Sequence, residues 1–178
     1  MLLLQHNFIT FVLVVVSLLL VEGIGHIDFS NGNLLFLPLG AAILSYLLFG
    51  YGVLPGVALA NMLIGYTLWN NWFGNGFAGF SGHVIIGSLA PIVAIQMMKS
   101  FGLSEFFEGK EINYRHVMFL VILAALLNTL GKFSLFYGVL QEDIKVVDFI
   151  STYLIGDILG GIVFIYAAVK LSKLLEKR

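Results

Sequence analysis

The sequence predicts an all-α fold, a polytopic transmembrane bundle of about six spanning helices, and three observations lead there. Of its 178 residues, 60% are hydrophobic and only 11% charged, with a mean hydropathy of +1.00. A soluble domain of this size has too much surface to cover with so few charges. The charge is also unevenly placed: all 9 Lys and Arg residues lie from Lys99 onward, and only Glu22 and Asp28 are acidic before it. Third, six apolar stretches approach or reach the 17–25 residues that a bilayer-crossing helix needs, at roughly 8–23, 34–49, 53–69, 81–98, 116–140 and 149–171.

Turn chemistry separates the stretches. Ser30-Asn31-Gly32-Asn33 follows the first, Gly50-Tyr51-Gly52 the second, and Asn70-Asn71 with Gly74-Asn75-Gly76 the third. The polar runs 99–115 and 141–148 close the set, and no linker or repeat divides residues 1–178, which read as a single domain. So short a connection between the second and third stretches makes them antiparallel neighbours. The first stretch is read as a retained anchor, with a cleaved signal peptide as the alternative. It lacks a basic start, and Val21-Glu22-Gly23-Ile24-Gly25 offers no small-residue cleavage site.

Orientation follows from the Lys/Arg bias of the loops. With six spans, one side collects Lys99, Lys110, Arg115, Lys170, Lys173, Lys177 and Arg178, whereas the other has Lys145 alone. That side is expected to be cytoplasmic and to hold both termini, with Trp69, Trp72 and Phe73 forming an outer aromatic belt.

Net charge of −1 and the lack of a basic run give no reason to expect nucleic-acid binding. The absence of cysteine excludes thiolate chemistry and disulfides. His6, His26, His83 and His116 make no metal-ligand spacing, so no metal or cofactor is expected. No nucleophile elbow, zincin, P-loop or dinucleotide fingerprint is present, and nothing points to an enzyme.

Polar groups inside lipid carry the remaining information, because each is costly unless paired or functional. Asn128 and Lys132, four apart, share one face of the fifth helix. Asp157 on the antiparallel sixth helix falls at about the same depth, roughly 12 Å from the outer side by helical rise. A Lys132–Asp157 pair is therefore expected, with Asn128 and Asn61 as further members of a polar centre. Two readings stay open: a buried ion pair that locks two helices, or a ligand- or partner-binding site. Asn61 alone reads first as an interhelical hydrogen bond. Gly156 to Gly160 around Asp157, and Gly52 to Gly56 in the third stretch, have the small-xxx-small spacing that admits close helix packing. Pro55 fits a first helical turn, and Pro91 falls mid-helix, where it should kink the fourth span.

Read in order, Phe36-Leu37-Pro38-Leu39-Gly40-Ala41-Ala42, then Phe49-Gly50, Pro55-Gly56-Val57 and Asn61, resemble the opening of the membrane-associated sensor domains of the first type, the MASE family. Tyr153-Leu154-Ile155-Gly156-Asp157-Ile158-Leu159-Gly160 is similar to that family's late Trp-Leu-Gly-Asp-x-x-Gly helix. The resemblance spans roughly residues 34–171 and marks Pro38, Gly40, Pro55, Gly56, Gly156 and Gly160 as motif positions. Leu37 stands where the family has a second proline. Members usually have about eight spans and are fused to a kinase or cyclic-dinucleotide enzyme, whereas this chain stops at Arg178. The resemblance thus implies a compact, stand-alone sensory or interaction module of the bacterial cytoplasmic membrane. It would relay a signal to another membrane protein (a kinase, cyclase or transporter subunit), with an unidentified small-molecule ligand. The alternative is the substrate-binding six-helix subunit of a vitamin-type importer, against which stands the bulk of the first helix.

Overall fold

The structure is a computed structural model that describes residues 1–24, 28–29, 32–68, 76–109, 111–140 and 145–175. Six helices make it up: α1 Leu2–Ile24, α2 Leu37–Phe49, α3 Leu54–Leu68, α4 Gly76–Ser100, α5 Tyr114–Phe133 and α6 Val146–Leu175. A 3-10 turn, Tyr51–Val53, joins α2 to α3, and a π-helical segment, Ser134–Val139, prolongs α5. Two antiparallel two-residue ladders complete the described residues: β1 Asp28–Phe29 with β2 Gly32–Asn33, and β3 Phe107–Glu108 with β4 Glu111–Ile112.

The polarity of the bundle is that of a membrane protein. Thr10, Ser45, Asn128, Lys132 and Asp157 are buried, while large apolar side chains such as Phe8, Leu19, Ile85, Leu126 and Leu159 face outward. Within lipid an exposed leucine costs nothing, whereas an exposed polar group lacks water. Among the described residues four helices are long and apolar enough to cross a bilayer: α1, α4, α5 with its π extension, and α6. The expected second and third spans are shorter, 13 residues in α2 and 15 in α3.

The cause in α2 is its start. Phe36 stays outside the helical conformation (φ −91°, ψ 83°) and its amide donates to the Gly156 carbonyl of α6 at 3.0 Å, so Leu34 to Phe36 enter the bundle as irregular chain rather than as helix. Pro38 then occupies the first turn, where its missing N–H is no loss. Leu37 through Tyr46 are all buried, which places α2 at the centre against α6, α1 and α4. A helix apolar on every face suits that position.

Around it, α1 packs on α3, α3 on α4, α4 on α5 and α5 on α6. Asn7 of α1 fastens the α2–α3 turn: its Nδ2 donates to the Gly52 carbonyl at 2.9 Å, and its Oδ1 accepts from the Gly56 amide at 2.8 Å. Those are the carbonyl and amide that a helical turn would pair with each other. A Cβ on Gly56 would press on the Asn7 backbone, so this glycine serves close α1–α3 approach. Pro55, beside it, sits in the first turn of α3 as expected.

Gln96 donates to the Tyr51 hydroxyl at 2.9 Å and the Lys99 ammonium lies over the Tyr51 ring at 5.1 Å. The α1 start, the α2–α3 turn and the α4 end therefore share one side of the bundle. At the other end of α4, Gly76–Phe80 are already helical, five residues before the expected start at Ser81. Trp69, Trp72, Phe73, His26, Lys110, Lys177 and Arg178 lie outside the described residues. Helix α4 runs through Pro91 without a break.

Candidate functional site

The site is built where α5, α6 and the extended approach to α2 meet. Asn128 and Lys132 share the inward face of α5, and Asp157 opens the middle of α6; these three are 1%, 4% and 2% exposed, so each must be satisfied from within the protein. Asn128 Nδ2 donates to Asp157 Oδ2 at 2.7 Å, the short distance of a charge-assisted bond. The Asn128–Asp157 part of the expected centre is thus a direct contact.

Lys132 takes a different position from a simple ion pair. It and Asp157 interact electrostatically, yet among the described residues no ion-pair contact (N···O within 4.0 Å) joins them. Its ammonium instead lies over two ring faces, Phe36 at 5.6 Å and Tyr153 at 5.5 Å. Cation–π attraction of this kind is worth about 2 kcal/mol when desolvated. Tyr153 in turn stacks on Phe149 at 4.3 Å, and Phe149 meets Phe136 edge-on at 6.0 Å. An aromatic wall therefore backs the amine. His83 of α4 is buried and lies within the electrostatic reach of Lys132.

The motif glycines explain how Phe36 gets there. A Cβ on Gly160 would fall onto the Phe36 backbone, and one on Gly40 would lie 2.8 Å from the Gly161 carbonyl oxygen. Gly156 supplies the carbonyl that holds the Phe36 amide. The small-residue spacing in α6 thus serves close packing, as expected, but the element packed on it is irregular backbone that carries a ring of the site.

Asn61 does not join this centre. Its Nδ2 donates to Ser88 Oγ of α4 at 3.0 Å, and its amide rests against Gly87. The Tyr46 hydroxyl donates to the Ser88 carbonyl at 3.0 Å. Pro91 leaves the Gly87 carbonyl without its helical amide, and the neighbouring Ser88 carbonyl is held from α2, so Asn61 and Tyr46 brace the turn before the proline. This is the interhelical hydrogen bond that the residue predicts when read alone; its membership of the Lys132 centre is corrected.

Two polar atoms at or next to the site have no hydrogen-bond partner among the described residues: Asn128 Oδ1 and Thr129 Oγ1, both on side chains no more than 1% exposed. Phe36, Tyr153 and the π-helical turn that starts two residues after Lys132 are the features that sequence reading missed. The tyrosine lay within the Tyr153–Gly160 motif, four residues before Asp157 and so on its face, but an aromatic in an apolar helix gives no sign of its partner. No family model matches the chain, and neither the curated proteins nor the solved structures yield a match.

Proposed function

We propose that this chain is a sensory or interaction module of the bacterial cytoplasmic membrane, both termini cytoplasmic, that works through a separate partner protein. Its sensing centre is Lys132, Asp157 and Asn128. The observation that carries this reading is the separation of the two charges. A pure lock would bring ammonium and carboxylate into contact, since Coulomb attraction in a low dielectric repays desolvation only at close range. Here Lys132 is held by ring faces and Asp157 by an amide, so both charges keep capacity for a third party. Intramembrane charges so arranged mark signal or ligand sites.

The reading accords with the resemblance to membrane-associated sensor domains, whose late motif glycines, Gly156 and Gly160, lie against the Phe36 segment at this spot. The importer-subunit alternative gains nothing from α1, whose outward side carries Phe8, Val12, Val16 and Leu19 rather than a small-residue docking stripe.

The test is a double replacement. Lys132→Met or Asp157→Leu alone strands one buried charge and should lower membrane abundance. The double variant should recover abundance but lose its effect on a co-purified kinase, cyclase or transporter partner. Recovery of that effect together with abundance would reduce the pair to architecture and sink the proposal.

A further inference from the structure

We infer that the Lys132–Asp157 centre takes a small zwitterion, a molecule with one carboxylate, one ammonium group and an apolar remainder, as free amino acids with uncharged side chains have. This rests on the sensing role proposed for the same residues. Three features of the site converge on it.

The first is the cation. Lys132 is 4% exposed, and among the described residues its ammonium makes neither an ion pair nor a hydrogen bond. The Phe36 and Tyr153 faces at 5.6 and 5.5 Å stabilise its charge but accept none of its three N–H donors in the way an oxygen does. A carboxylate is the natural complement. The second is the acceptor side. One Asp157 oxygen is taken by Asn128, while a carboxylate has about four acceptor positions. The Oδ1 of the same Asn128 amide is buried and without a partner among the described residues. Carboxylate and amide oxygen together suit an ammonium. The third is the aromatic backing: Tyr153, over which the ammonium lies, stacks on Phe149 at 4.3 Å and makes that side of the centre apolar.

Ligands of other charge fit worse. A monoanion would satisfy Lys132 and face the carboxylate of Asp157 and the Asn128 oxygen. A monocation would satisfy the oxygens and face Lys132. Only a molecule with both charges, a few ångströms apart, meets the two ends of the site at once. Specificity of this sort comes from the repulsion that each single charge would suffer as much as from the attraction.

The experiment uses the full chain in lipid nanodiscs. Isothermal titration and thermal melting are run with a panel of the uncharged-side-chain amino acids. Each binder is compared with its single-charge counterparts; for leucine these are 4-methylpentanoate, which lacks the ammonium, and 3-methylbutylamine, which lacks the carboxylate. At least one amino acid is expected to bind saturably, at least about tenfold tighter than either counterpart, a difference of about 1.4 kcal/mol. Lys132→Met keeps the Asn128–Asp157 bond and should weaken that binding at least about tenfold.

No binding by any member of the panel would overturn the inference, as would a counterpart that binds as well as its amino acid, or undiminished binding by Lys132→Met. The comparison on the unaltered chain stands even if that variant fails to fold. Failure here with partner coupling still lost in the double variant would remove the zwitterion and leave the sensing role. Failure of both would remove the role itself.

Discussion

Replacing Gly160 by alanine probes the one contact on which the centre depends. In an exposed helix this change would stabilise by about 1 kcal/mol. Here the new Cβ would land on the carbonyl carbon, oxygen and nitrogen of Phe36, backbone atoms that cannot rotate aside. The extended segment must move off α6, and its amide then loses the Gly156 carbonyl it holds at 3.0 Å. An amide left unsatisfied in a buried place costs about 1–3 kcal/mol. The Phe36 ring also leaves Lys132, forfeiting about 0.5–2 kcal/mol of cation–π attraction. Set against the propensity gain, the net loss is about 0.5–4 kcal/mol, roughly 2- to 900-fold in the folded population. For a chain of this size that lowers the melting temperature by about 1–16 °C. Thermal unfolding in a mild detergent reads it directly, with Gly23→Ala as the control, because nothing lies within 4 Å of a Cβ there. If Gly160→Ala melts within a degree of the parent, α6 and the Phe36 segment are not in the described contact, and the account of the site loses its frame.

Asn7→Leu should cost about 1–3 kcal/mol, because it removes the two hydrogen bonds to the Gly52 carbonyl and from the Gly56 amide. A normal melting temperature for that variant would mean that α1 does not clamp the α2–α3 turn. For orientation, reporter fusions in the 101–113 loop should read cytoplasmic, given the Lys/Arg bias around it. An external signal from that loop would invert the topology.

Much of the bundle was legible in the sequence, because lipid imposes so narrow a grammar. The long apolar helices α1, α4, α5 and α6 follow from length and hydropathy. Helical depth puts Lys132 level with Asp157 and i, i+4 geometry puts Asn128 on the same face, but the residue in hydrogen-bond contact with Asp157 is Asn128, not Lys132. What was not legible comes from backbone behaving irregularly in tertiary context. Hydropathy over 34–49 is the same whether Leu34 to Phe36 are helical or extended; the Gly156 carbonyl decides it, and that lies 120 residues away. Asn61, read alone as an interhelical hydrogen bond, has that role with Ser88; its place in the Lys132 centre fails because sequence depth puts a residue at a level in the membrane but does not say which neighbour it faces. Asn7 drew no notice because a polar residue near a terminus usually meets water, and only the turn it caps reveals its use.

The irregularities are not scattered. Non-helical backbone at membrane depth is tolerated only where protein satisfies it or where it lines a functional cavity. Phe36 is non-helical beside Gly156, and α5 widens into a π-turn from Ser134, two residues after Lys132. π-turns within α-helices recur at functional sites. Both departures flank the same two charges, and each supplies or carries an aromatic ring of the wall: Phe36 on one side, Phe136 on the other. A chain selected only to lock α5 to α6 would need neither, since two straight helices with an ammonium and a carboxylate in contact would do it with less strain. The bundle instead spends two regular turns to hold its charges apart and to surround them with aromatic faces. On the proposed sensing role, the Phe36 segment is the element that would register a change at the centre. It touches Lys132 through its ring, α6 through its amide, and leads directly into the central helix α2.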